Sequence, residues 1–166
     1  PVVSGCAAVA IGGAAATGVV IAEDRRTVGT ITEDQGIELK AASRIEEKTK
    51  DAHINITSYN RMVLLTGEVP TEALKAEAER ITRAVENVRS VFNELKVGAN
   101  TSMQVRTNDS VITSKVKARF VDANKFSALH VKVVTEDSVV YLLGLVKKQE
   151  AADATEIART TGGVSK

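Results

Sequence analysis

The chain has 166 residues, 43% hydrophobic and 26% charged, with 22 basic against 21 acidic side chains. That length holds one ordinary domain or two small ones, and the aliphatic content argues against bulk disorder. One cysteine excludes a disulfide framework, two histidines beside it argue against a Cys/His zinc cluster, and 3% aromatics without tryptophan argue against a base-stacking nucleic-acid binder.

From Val2 to Ala22 the chain carries no charge and is rich in Ala, Gly and Val. The length matches a membrane span, but four glycines make it a weakly hydrophobic and poor helix. Val3-Ser4-Gly5-Cys6 instead resembles the lipobox of bacterial lipoproteins, which makes Cys6 the expected lipidation site and residues 1–6 the end of a signal peptide. Acyl chains at roughly 0.8 kcal/mol per buried methylene would hold a domain at a membrane. Residues 7–36 then read as an Ala/Gly-rich tether ending in the polar run from Glu23 to Gly36. Ala7 in place of an aspartate implies sorting to the outer membrane.

Beyond the tether the chain repeats itself. Val63 to Val69 lies over Val140 to Val146, His53-Ile54-Asn55-Ile56 over His130-Val131-Lys132-Val133, and Ile37, Ala41 and Ile45 over Ile112, Val116 and Phe120. Each copy opens with apolar residues at i, i+4 and i+8, a one-sided helix, with Ser110 or Asp109 as the N-cap of the second. An alternating strand follows (Ile54 and Ile56; Val131 and Val133), then a turn at Tyr59-Asn60 or Glu136-Asp137. Next come the nearly continuous apolar strands Met62 to Val69 and Val139 to Val146. Pro70 opens a second helix carrying Leu74, Ala78, Ile81 and Val85, and a final strand runs from Ser90 to Val97 with Val91, Leu95 and Val97 inward. The second copy reaches Lys166 without that last strand, so either the sequence is a fragment, the favoured reading, or an exposed sheet edge awaits another segment.

The expected fold is α+β: two tandem αββαβ units, each with two helices on a three-stranded mixed sheet, over residues 37–98 and 109–166, joined by a linker at 99–108. Charge falls unevenly across these parts: residues 1–34 hold two basic and four acidic side chains, 35–98 ten of each, and 99–166 ten basic against seven acidic. Attraction for an anionic partner is therefore expected in the last third.

His53 and His130 occupy equivalent positions, which repeat duplication explains, so neither is assigned to a metal. Gly67 and Gly144 inside apolar strands mark a bulge or a close helix–strand approach. No catalytic constellation assembles, since the only cysteine lies in the tether; no cofactor, metal or enzymatic role is expected.

Two αββαβ units with V-x-L-x-G-x-V strands resemble BON domains. The lipobox, the tether, Asp24-Arg25-Arg26-Thr27-Val28-Gly29-Thr30 and two such repeats are similar to the dual-BON outer-membrane lipoproteins, the division- and outer-membrane-stress-associated lipid-binding family. The resemblance is carried most specifically by Ile54-Asn55-Ile56-Thr57 with Tyr59, Asn108-Asp109-Ser110 with Ile112 to Lys117, and Val131-Lys132-Val133. It implies a non-enzymatic, lipid-anchored protein on the periplasmic face of the outer membrane that binds anionic phospholipid and supports envelope integrity. The alternative is a structural protein whose paired domains bind envelope proteins or self-assemble. Outer-membrane assembly or division proteins are the implied protein partners, and nucleic acid is not one. Lipid contact is attributed in the family to the first helix of the second repeat. There Val111, Lys115 and Arg119 form an i, i+4, i+8 stripe with Lys117 nearby. At about 1 kcal/mol per cation near an anionic surface, the three charges would supply roughly 3 kcal/mol. Val111 stands where related proteins can carry a tryptophan, which removes an interfacial anchor.

Overall fold

The computed structural model describes residues 24–49 and 52–166. In chain order the elements are α1 (Val28–Glu46), β1 (His53–Tyr59), β2 (Met62–Val69), α2 (Glu72–Arg83), β3 (Ser90–Asn93), β4 (Lys96–Val97), α3 (Met103–Ala123), β5 (Val131–Glu136), β6 (Val139–Gly144) and α4 (Lys148–Arg159), with a 3-10 turn at Ala128–His130 before β5.

Both leading helices begin earlier than apolar spacing predicts. α1 starts at Val28 under a Thr27 cap, whose Oγ1 accepts the Thr30 N–H at 3.1 Å, so residues 28–36 are helix and not tether. α3 starts at Met103 under a Ser102 cap, so half of the expected linker 99–108 is helical, and neither Asp109 nor Ser110 is a cap. The reason lies in one residue of each helix. The buried stripes are Asp34-Ile37-Ala41-Ile45 and Asp109-Ile112-Val116-Phe120, and a carboxylate in the core stripe hides the helical period from an apolar count. Asp34 accepts the backbone N–H groups of Asn60 and Arg61 at 2.8 and 2.7 Å, and the Ser58 hydroxyl at 2.7 Å. Asp109 accepts those of Asp137 and Ser138 at 2.9 and 2.8 Å. These N–H groups belong to two-residue turns with left-handed backbone (φ 52 and 65; 48 and 64), one residue later than the sequence suggests.

In the first domain β2 is central: antiparallel to β1 (His53↔Glu68 to Tyr59↔Met62) and parallel to β3 and β4 (Met62↔Ser90, Val69↔Val97). The expected strand 90–97 is thus present, interrupted at Glu94 and Leu95. Leu95 is buried, whereas Val97, expected inward, is exposed on the sheet's outer edge where no strand follows. In the second domain β5 and β6 form an antiparallel pair. Ser165 donates to the Ser138 carbonyl at 2.8 Å and Lys166 accepts from Val140 at 2.8 Å, matching the Arg89-to-Arg61 rung that starts the third strand of the first domain.

Gly67 and Gly144 mark contacts between strands, not between helix and strand. Gly67 has φ +110, and a Cβ there would meet the His53 carbonyl oxygen at 2.0 Å; at Gly144 it would meet that of His130 at 2.6 Å. Ile37, Ala41, Ile45, Val63, Leu65, Ala78 and Leu95 build one core, and Ile112, Val116, Phe120, Val131, Val133 and Ile157 the other.

Residues of β1 and β2 that point away from the first core are buried too, namely Thr57, Tyr59, Leu64, Thr66 and Glu68. The second domain covers them. Asn55 donates to Glu136 at 2.7 Å, Lys96 pairs with Asp137 at 2.6 Å, and the Tyr59 hydroxyl donates to the His130 carbonyl at 3.4 Å. The helix-free faces of the two sheets therefore meet, and the helices lie outermost. α3 presents its outer side to solvent for that reason.

Candidate functional site

The outer side of α3 exposes three large apolar residues interspersed with Thr107, Ser114 and Asp122. Val111 is 45% exposed, Val121 65% and Met103 73%. At 100° per residue these three and Ala118 lie on one side of the cylinder, and Lys115 and Lys117 leave its opposite flanks. Both lysines are exposed, and among the described residues neither makes an ion pair. Asp122 is the exposed acid on this helix. An apolar ridge between two lysines lets the stems lie along a lipid surface while the ammonium groups reach phosphates.

Arg119 does not join this face. Its Nη1 donates to the Ile157 carbonyl at 2.8 Å, to Thr161 Oγ1 at 2.7 Å and to Thr160 Oγ1 at 3.2 Å, closing the C-terminal end of α4. The expected Val111-Lys115-Arg119 stripe is broken by this tertiary bond. The first domain repeats the device, for Arg44 sits at the same place in α1 and donates to the Ala84 carbonyl after α2 at 3.3 Å. The lysine matching Lys115 is Lys40, but it pairs with Glu86 at 2.7 Å; the position matching Val111 is Gly36. The first domain thus shares the scaffold and exposes Val28 and Leu39 on the same side of α1, without the free cations.

Cys6 lies outside the described residues. Within the expected tether, Arg25 makes a two-pronged pair with Glu150 at 2.7 and 2.8 Å and donates to the Leu145 carbonyl at 2.9 Å. The hydrogen bond from Arg25, with that of the Lys147 N–H, holds the Glu150 carboxyl down at about 2. Arg26 turns to the first domain, pairing with Asp24 at 2.8 Å and Asp34 at 2.9 Å, with its guanidinium 3.9 Å from the Tyr59 ring centroid. The segment 24–26 therefore grips both domains.

A second group escaped the sequence reading. His53, Glu68 and Glu136 converge between the domains, with His53 Nδ1 at 3.1 Å from Glu68 Oε2 and 3.9 Å from Glu136 Oε1. The signal available in the sequence was Glu68, an acid within the otherwise apolar strand Val63 to Val69.

The BON domain family matches residues 33–99 and 108–166. The chain is 37% identical over 165 residues to the outer membrane lipoprotein DolP of Haemophilus influenzae, covering 98% of this chain and 85% of the relative. It is 32% identical to the 21 kDa hemolysin of Actinobacillus pleuropneumoniae, over 86% of this chain and 75% of that protein. It is 33% identical to the osmotically-inducible protein Y of Escherichia coli, over 82% and 71%. Among the described residues no helix is long and apolar enough to cross a membrane. Near-full-length likeness to a protein named as an outer-membrane lipoprotein assigns the chain to the outer membrane. With two matched segments that coincide with its two helix–sheet units, the chain belongs to the BON domain family.

Proposed function

We propose that this chain is a lipid-anchored, periplasm-facing protein that binds anionic phospholipid through the outer side of α3 and supports the envelope without catalysis. Cys6 carries the anchor in this reading. The observation that supports it is the exposed Lys115 and Lys117, without ion pairs among the described residues, beside the exposed Met103, Val111 and Val121; in the first domain the matching places hold Lys40, paired with Glu86, and Ala42. Two cations at about 1 kcal/mol each supply roughly 2 kcal/mol, weak alone and sufficient once acylation holds the domain near the bilayer. The test is co-sedimentation of unacylated protein with vesicles of phosphatidylcholine alone or mixed with phosphatidylglycerol. The expected result is retention by the anionic vesicles, lost in high salt; equal retention by both kinds overturns the proposal.

One observation favours the interaction reading as well. Among the described residues the outer edge of β6 beyond Val140 carries no partner strand and faces a groove of about 440 Å³ lined by Met62, Leu64, Phe92 and Tyr141. A monomer by light scattering at all concentrations would remove self-assembly from consideration.

A further inference from the structure

We propose that His53, Glu68 and Glu136 form a binding site for a divalent transition-metal ion, with zinc as the fitting example, which clamps the two domains together. The proposal stands apart from the lipid reading and uses none of its residues.

One donor atom from each side chain lies within 4.8 Å of the other two. Around a tetrahedral zinc, with bonds of about 2.0–2.2 Å, donors sit roughly 3.3 Å apart. The separations of His53 Nδ1 from Glu68 (3.1 Å) and Glu136 (3.9 Å) are close to that, and side-chain shifts of about 1.5 Å close a gap as wide as 4.8 Å. An imidazole with two carboxylates suits a borderline metal better than calcium, which prefers oxygen alone.

The independent observation is an orphaned atom. The Glu68 side chain is 4% exposed, and its Oε1 is buried with no hydrogen-bond partner. It belongs to the carboxylate whose other oxygen meets His53. A buried carboxylate oxygen without a donor is costly, and a bound cation removes that cost.

The surroundings orient the carboxylates, and Lys96 and Arg106 are the cations near them. Thr101 donates its N–H and its hydroxyl to Glu68 Oε2 at 3.1 and 3.3 Å, and Asn55 donates to Glu136 Oε2 at 2.7 Å. These are neutral second partners of the kind that position metal ligands. Arg106 lines the same pocket, yet its Nε is buried without an acceptor and it makes no ion pair among the described residues. Two buried carboxylates therefore share one imidazole. His53 and Glu68 come from the first domain and Glu136 from the second, so an ion bound by all three ties the domains.

The test is zinc chloride titration by calorimetry on the full chain carrying Cys6→Ser, which keeps the lone thiol out of competition. One zinc per chain is expected, with affinity at least tenfold weaker in Glu136→Gln and in His53→Ala, while calcium chloride gives no heat. Asn55→Ala, which removes a hydrogen-bond partner of Glu136 and His53 while all three ligands stay in place, should weaken zinc several-fold with unchanged circular dichroism. Thermal melting should rise with zinc in the parent and not in Glu136→Gln. No saturable uptake up to about 100 µM zinc, or uptake unchanged in all three variants, overturns the proposal.

Discussion

Replacing both Lys115 and Lys117 with glutamine tests the helix face most directly. Both side chains are exposed and lack ion pairs among the described residues, so removing their charge leaves no buried partner behind. The expected loss is about 1 kcal/mol per charge, roughly 2 kcal/mol together, or about a thirtyfold weaker association with vesicles containing phosphatidylglycerol. Salt should erase the difference, because the Debye length shortens to about 8 Å near 0.15 M and further above it. Arg119→Gln is the informative contrast. Losing three contacts at the end of α4 should cost about 1.5 kcal/mol of folding stability and a few degrees of melting temperature. Its vesicle binding should stay within about threefold of the parent's, since its guanidinium is tied to the end of α4, away from the Val111 side of α3. Co-sedimentation across a vesicle titration, paired with thermal melting, reads both quantities. If the double lysine variant binds as the parent does, or if Arg119→Gln weakens binding more than it does, the assignment of roles on this helix is wrong.

Three further outcomes follow from single sites. Val111→Trp should raise affinity for anionic and neutral vesicles alike by several-fold, since an indole on a half-exposed ridge position anchors at the interface irrespective of charge; a tryptophan emission that does not shift blue on adding vesicles would contradict this. Gly67→Ala should destabilise the first domain by about 3 kcal/mol in urea titration, because a left-handed backbone and a clash with the His53 carbonyl add together. Glu150 should titrate near 2 in the parent and move part of the way up towards its ordinary value in Arg25→Ala, where the Lys147 N–H bond remains, followed by carbon-13 NMR of its carboxyl. Its folded-state value lies below the unfolded one, so the pair with Arg25 contributes fully above about pH 4.5 and loses its contribution as pH falls towards 2, releasing residues 24–26 from the second domain in that window.

Much of the architecture can be read from spacing alone. Ile37-Ala41-Ile45 and Ile112-Val116-Phe120 announce two equivalent helices, and the match of Val63–Val69 with Val140–Val146 announces the duplicated sheets. Helix starts are hidden because Asp34 and Asp109 occupy core positions, and a carboxylate there pays off only through turn N–H groups distant in sequence. Arg119 reads as a surface cation because its acceptors, on Ile157, Thr160 and Thr161, are brought to it by the packing of α3 on α4. The convergence of His53 with Glu136 depends on how two domains dock, which no local pattern encodes.

Duplication itself separates the residues that build the fold from those free to do something else. Asp34 and Asp109 each tie a hairpin turn to a helix, Arg44 and Arg119 each close the end of a second helix, and Gly67 and Gly144 each admit a neighbouring carbonyl. A feature kept at equivalent places in two diverged copies serves what the copies share, which is the scaffold. The free lysines of α3 fail that criterion, since Lys40, paired with Glu86, and Ala42 stand where Lys115 and Lys117 are. The buried acids fail it too: Glu68 matches Leu145, and Glu136 matches Tyr59. Leu145 and Tyr59 show that the same scaffold accepts uncharged side chains at both places. A buried carboxylate there is therefore not a requirement of the sheet, and its burial calls for a reason outside folding.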